Sequence, residues 1–200
     1  QRPITPYLEE FPKHGVSFEY NNTMPFSTNG KLTGGKFYVD GGISSQFITG
    51  LLFALPLLEE DSEIILTSHL ESKPYVDITL GTLREHGCQV EETENGYFVK
   101  GGQNYMPFSG RVEGDYSQAA FFKVANSLGS DIDIAGLSEK SFQGDKKIVE
   151  ICEKIVYNKN GGLQPFDLDC SDIPDLVPVL TVLAVSYTHL RAHETSLHLV

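Results

Sequence analysis

An α/β fold built from repeated units is predicted by three observations in this 200-residue chain. Helical and strand-like segments alternate along its length instead of falling into separate blocks. Short patterns return: Ser45-Gln46-Phe47 is echoed by Ser117-Gln118-Ala119, and Lys73-Pro74-Tyr75 by Asp145-Lys146-Lys147, at a period of about seventy residues. A hairpin signal at Asn95-Gly96 adds antiparallel pairing, so packed α/β subunits are expected, not one open parallel sheet.

The elements follow in order. "RPITPYLEEF" reads as a helix, with Pro near its start and apolar residues at helical spacing. "GKFYVDGG" is a short strand ending in a turn, and the helix Ser44 to Leu58 follows it. "SEIILTSHL" is the next strand, and "SKPYVDITLGTLREHG" a helix closed by Gly87. The run from Cys88 to Gly102 is a hairpin turning at Asn95-Gly96. The order then recurs: "DYSQAAFFKVANSLG" is a helix stopped by Gly129, "DIDIAGL" a strand, "GDKKIVEICEKI" a helix, and "LQPFDLD" a strand. "SDIPDLVPVLTVLAV" starts the helix of a further unit.

With 40% hydrophobic and 21% charged residues the chain can bury a core, as one large domain or two small ones. The net charge of −12 argues against nucleic acid or an anionic membrane as partner, because both are held by clustered Lys and Arg. Cys88, Cys152 and Cys170 form no C-x-x-C pair, which points to neither a disulfide framework nor a zinc knuckle and fits a reducing cytoplasm. The apolar stretch Phe47 to Leu58 is too short for a membrane span and is interrupted by Thr49, Gly50 and Pro56. The start at Gln1, without Met or a signal-peptide pattern, suggests a fragment cut at its front.

"VDGGISSQFITGLLFALPLL" places two serines and a glutamine at the head of a very apolar helix, where one capping Ser would suffice. Ser44, Ser45 and Gln46 can be read as one cap with two solvated neighbours. The other reading makes them donors that join the exposed amides of a helix N-terminus in holding phosphate or carboxylate. In "ESKPYVDI", Ser72 is either an N-cap or a second hydroxyl toward the same ligand, and Tyr75 either packs or lines that pocket. In "SDIPDLVP", Asp172 is a credible cap, while Asp175 is either a favourable first-turn charge or a carboxylate poised to take a proton. Arg2 is a surface residue or an anion clamp. His189 and His193, one helical turn apart, have metal-ligand spacing, but the last fifteen residues, "SYTHLRAHETSLHLV", resemble adapter read-through and are set apart from the fold.

"RPITPYLEEF", "DGGISSQFITGLLFALPL", "SKPYVDITLGTLREHG", "VEGDYSQAAFF", "FQGDKKIVEICEK" and "DIPDLVPVLTVLAV", in this order, resemble successive signatures of the EPSP synthase (3-phosphoshikimate 1-carboxyvinyltransferase) family, from Arg2 to about Val185. The resemblance implies a two-domain enolpyruvyl transferase fold, an inside-out α/β barrel of repeated units, truncated at both ends. On it, residues 1–112 are part of the first domain, 113–185 the first repeat of the second, and 186–200 a non-native tail. The implied reaction passes the enolpyruvyl group of phosphoenolpyruvate to the 5-hydroxyl of shikimate 3-phosphate by addition and elimination of phosphate, with no metal or organic cofactor.

The resemblance also implies roles. Ser44, Ser45 and Gln46 bind shikimate 3-phosphate, with Gln46 also near phosphoenolpyruvate. Ser72 is a further phosphate contact and Tyr75 lines the pocket. Arg2 grips phosphoenolpyruvate, and Asp175 binds the ring and accepts the proton. The family's early Lys-Ser-x-x-x-Arg segment and N-A-G-T loop would precede Gln1, and its later Glu, Arg and Lys residues would follow Val185. A cytoplasmic enzyme, monomeric when intact, is expected, with the fragment itself inactive. The alternative is a non-catalytic α/β-repeat binding or scaffold protein that keeps the fold.

Overall fold

The computed structural model describes residues 4–161 and 167–186, and the chain divides into two compact units, Gln1–Ser109 and Gly110–Val200. Arg2 lies outside the described residues, as do His189 and His193 of the tail.

The first unit opens with α1 (Thr5–Glu10), tightened into a 3-10 turn over Phe11–His14. Next comes a two-stranded antiparallel ribbon of β1 (Val16–Glu19) and β2 (Ser27–Gly30), which was not predicted: β1 alternates apolar and polar residues over only four positions, and β2 is exposed throughout and has no apolar residue. β3 (Gly35–Val39), α2 (Ser45–Ala54) and β4 (Ser62–Leu66) form a β-α-β unit whose strands run parallel, with Phe37 opposite Ile64 and Val39 opposite Leu66. α2 is shorter than predicted because Pro56 has no N–H to continue the ladder, and Leu55–Leu57 tightens into a 3-10 turn. α3 (Lys73–Glu85) leads to the hairpin of β5 (Val90–Thr93) and β6 (Gly96–Val99), and the mixed sheet has the order β3-β4-β6-β5.

The core is the product of two periodicities meeting. Alternate strand residues Phe37, Val39, Ile64, Tyr97 and Val99 turn one way, toward Phe47, Ile48, Leu51, Leu52 and Leu55 of α2 and Val76, Leu80 and Leu83 of α3, in one buried cluster. The two helices also touch through their hydroxyls, Thr49 Oγ1 lying 3.2 Å from Thr79 Oγ1.

The second unit contains α4 (Tyr116–Ser127), α5 (Lys147–Gly161) and α6 (Val177–Ser186), with short 3-10 turns at Gly144–Lys146 and Pro174–Leu176. Its cluster joins Tyr116, Ala120 and Val124 to Ile148, Ile151, Cys152, Ile173, Leu176, Val179 and Leu183. The predicted strand over "DIDIAGL" does not form: residues 131–137 have no strand partner among the described residues. Instead the Asn126 side chain imitates a single rung of a ladder, accepting from the Ile132 N–H at 2.8 Å and donating to its C=O at 2.8 Å. An alternating pattern supplies the faces of a strand but not a neighbour to bond with. Residues 163–166 of the other predicted strand lie outside the described residues, and 167–169 are irregular.

Candidate functional site

The carboxyl ends of the parallel strands β3 and β4 lie side by side, so the two loops that leave them, and the helices those loops feed, open on one edge of the sheet. Crevices at such strand ends are where open α/β sheets bind ligands. The parallel ladder continues one step past the strands, with the Thr67 N–H donating to Val39 C=O at 3.0 Å. The Glu71 N–H then donates to Gly41 C=O at 3.2 Å. A Cβ on Gly41 would stand 2.7 Å from the His69 carbonyl oxygen and 2.9 Å from Leu70 Cα, so only glycine allows the loops to approach this closely.

On this edge α2 begins with an N-cap, Ser44 Oγ accepting from the Gln46 N–H at 3.3 Å. That single bond accounts for Ser44. The Ser45 hydroxyl and the Gln46 side-chain amide take no part in it; Ser45 is buried at the helix head and Gln46 is exposed. The start of α4, whose Ser117-Gln118 echoes Ser45-Gln46 in sequence, shows what capping alone needs. Asp115 Oδ1 accepts from the Ser117 N–H at 2.8 Å and the Gln118 N–H at 3.4 Å, one residue satisfying two amides.

Ser72 occupies the N-cap position of α3 but makes no side-chain cap bond, and its backbone is left-handed at φ 57° and ψ 36°. The capping reading of Ser72 is therefore corrected: the residue is at the right place, with its hydroxyl uncommitted to the helix. A non-glycine residue held in this region is costly and is a pointer to function. Tyr75 is half-buried one turn in, and α3 carries Pro74 in its first turn. Lys73, beside Ser72, pairs with Asp77 at 2.6 Å and Glu92 at 3.5 Å, which turns its charge toward the helix and the hairpin.

The structure thus brings Ser44, Ser45, Gln46, Ser72 and Tyr75 to the heads of two neighbouring helices on one edge of the sheet. Sequence reading missed Asp40 and Ser68 in the same loops. Gly42 N–H donates to Asp40 Oδ1 at 2.9 Å and is shared with Ser68 Oγ at 3.2 Å, while the Ser68 hydroxyl also donates to Asp40 Oδ1. The Ser68 hydroxyl and the Gly42 N–H hold the Asp40 carboxyl below the usual carboxylate range. The signal for this was present in Asp40 ahead of Gly41-Gly42, the composition of a turn closed by an Asp side chain.

Asp175 belongs to the second unit, in the 3-10 turn Pro174–Leu176, exposed between the fully buried Ile173 and Leu176. The cap expected at Asp172 is not formed there. Ile173 holds the N-cap position, and Asp169 Oδ1 takes the Ser171 N–H at 2.9 Å one turn earlier. Cys88 and Cys152 are buried and free, and burial pushes both thiols up, which keeps them protonated and poor nucleophiles. Among the described residues no group of three His, Cys, Asp or Glu could hold a metal ion, and no helix is long and apolar enough to cross a membrane.

A family model described as EPSP synthase (3-phosphoshikimate 1-carboxyvinyltransferase) matches residues 1–195. The 3-phosphoshikimate 1-carboxyvinyltransferase of Clostridium perfringens strain ATCC 13124 is 43% identical across 92% of this chain and 46% of its own length. That of Clostridioides difficile strain 630 is 43% identical across 92% and 45%. A solved EPSP synthase structure from Acinetobacter baumannii superposes with a TM-score of 0.66 at 17% identity, covering 92% of this chain and 46% of that one; at this identity it speaks for the fold alone. The chain spans about half the length of the curated relatives it matches.

Proposed function

Because the chain belongs to the EPSP synthase family, we propose that it carries the shikimate 3-phosphate half-site of an enzyme that transfers the enolpyruvyl group of phosphoenolpyruvate to the 5-hydroxyl of shikimate 3-phosphate, releasing phosphate. The observation that carries this reading is the pair of helix heads, one with hydroxyl and amide groups beyond what its cap uses, the other with a left-handed Ser72 whose hydroxyl makes no cap bond. In this reading the Ser44, Ser45 and Ser72 hydroxyls and the Gln46 amide surround the 3-phosphate, aided by the positive ends of the α2 and α3 dipoles. Tyr75 walls the pocket beside the ring.

Asp175 accepts the proton of the attacking 5-hydroxyl as that oxygen adds to C2 of phosphoenolpyruvate, and Arg2 grips the phosphoenolpyruvate carboxylate or phosphate through its fork of donors. Phosphate then leaves the tetrahedral adduct to give the enolpyruvyl ether. None of these steps calls on a metal or organic cofactor; they rely on positioning and on donors fixed toward anionic groups. The substrates are small molecules, and the intact enzyme is placed in the cytoplasm as a monomer.

The test is calorimetric or NMR titration of the chain with shikimate 3-phosphate. Ser45→Ala with Gln46→Ala should weaken binding by about 1.5–3 kcal/mol per charge-assisted hydrogen bond lost, with little change in folding. Unaltered affinity would return Ser44 to Gln46 to a purely structural cap.

A further inference from the structure

An acidic side chain is an unexpected neighbour for an anion-binding helix head, yet Asp40 lies four residues ahead of Ser44 in the same loop. Its surroundings explain it. Asp40 Oδ1, the Gly42 N–H and Ser68 Oγ close a triangle of hydrogen bonds that joins the loop after β3 to the loop after β4. The Glu71 N–H to Gly41 C=O bond adds a second stitch immediately before Ser72. The triangle needs an oxygen that accepts from two donors at once, which a carboxylate provides. The charge of Asp40 is thereby spent on donors of its own two loops.

We propose that Asp40 is a positioning residue: its carboxylate ties the loop bearing Ser44–Gln46 to the loop bearing Ser72, so that two separate helix heads act as one phosphate site. This rests on the phosphate-binding reading above. Asp40 needs no contact with substrate; its effect passes through Gly42 and Ser68. An asparagine keeps an acceptor oxygen at the same place and removes the charge, whereas alanine removes the acceptor itself.

Four versions of the 200-residue chain separate the possibilities: unaltered, Asp40→Ala, Asp40→Asn and Ser68→Ala. Each is titrated with shikimate 3-phosphate while the amide signals of Ser45, Gln46 and Lys73 are followed by NMR, and amide hydrogen exchange at Gly42 is measured without ligand. In the unaltered chain the three amides should report one dissociation constant. Asp40→Ala should weaken binding about five- to tenfold, the net worth of one to two hydrogen bonds, and speed exchange at Gly42. Asp40→Asn should stay within about twofold of the unaltered chain, since it keeps the acceptor. Ser68→Ala should fall on the side of Asp40→Ala, and it decides the matter if Asp40→Ala does not fold. Unchanged affinity in the alanine variants, or an asparagine variant as weak as alanine, overturns the proposal. If the unaltered chain shows no saturable shift, the phosphate reading itself fails. Exchange at Gly42 still judges the tie between the loops, slow in the unaltered and Asn chains and fast in the Ala chains if it exists.

Discussion

Ser72 shows how a single residue can hold a correct position for the wrong apparent reason. Its place at the head of α3 is legible from Ser-Lys-Pro, but its left-handed backbone is not, because that conformation comes from the loop stitched to Gly41 next door. If the conformation is retained for its hydroxyl, the two ways of removing that hydroxyl should differ in stability and agree in binding. Ser72→Gly is expected to be about 1 kcal/mol more stable than Ser72→Ala, because glycine bears the positive φ without steric cost. Both should lose affinity for shikimate 3-phosphate to the same extent. Denaturant unfolding with parallel titrations measures this, and an alanine variant as stable as the glycine one would show that the residue carries no backbone strain.

At the scale of elements, the hairpin β5–β6 was anticipated at Asn95-Gly96, and the strands do pair, Thr93 opposite Gly96. The turn itself is Glu94-Asn95. Gly96 is already in the strand, where a Cβ would collide with the Ile64 carbonyl oxygen at 1.9 Å, so glycine is required by the approach of β4 as well as by its own φ of 150°. The next residue, Tyr97, is 2% exposed, and burial pushes its phenol up from 10.0 to about 12. The folded state therefore keeps this proton after the unfolded chain has lost it. Stability is intact below pH 10 and is lost as pH rises from 10 toward 12, by about 2–3 kcal/mol on full ionisation of the unfolded chain. Chemical denaturation at stepped pH should show this fall, and Tyr97→Phe should reduce it. A Phe variant with the same alkaline slope would assign the loss to other groups.

For the whole molecule, the two units have their own clusters, one of sheet with helices and one of helices among the described residues. The chain carries 27 Asp and Glu against 15 Lys and Arg, and pairs such as Lys31–Glu59 at 2.9 Å are solvent-facing and worth little. Self-repulsion should then outweigh these pairs, so raising NaCl from about 20 mM to about 500 mM is expected to raise the thermal midpoint. Binding of shikimate 3-phosphate should weaken over the same range. A falling midpoint would mean that the surface pairs contribute more than the net charge costs.

Legible from the chain alone were the places where α2 and α3 begin, the strand-to-helix handover through Gly41-Gly42, the hairpin, and the candidate residues at those two helix starts. These rest on local chemistry: caps, proline and glycine positions, and the spacing of apolar residues. The tertiary structure alone decided that the two helix heads share one edge of the sheet, that Asp40 and Ser68 join their loops, that Ser72 is left-handed, and that "DIDIAGL" is not a strand. Each of those depends on what lies distant in sequence, such as Ser68 for Asp40, 28 residues away, or the lack of a strand neighbour for residues 131–137 among the described residues. A sequence records which groups can bond, but which of them meet is set by the packing of the sheet and its helices.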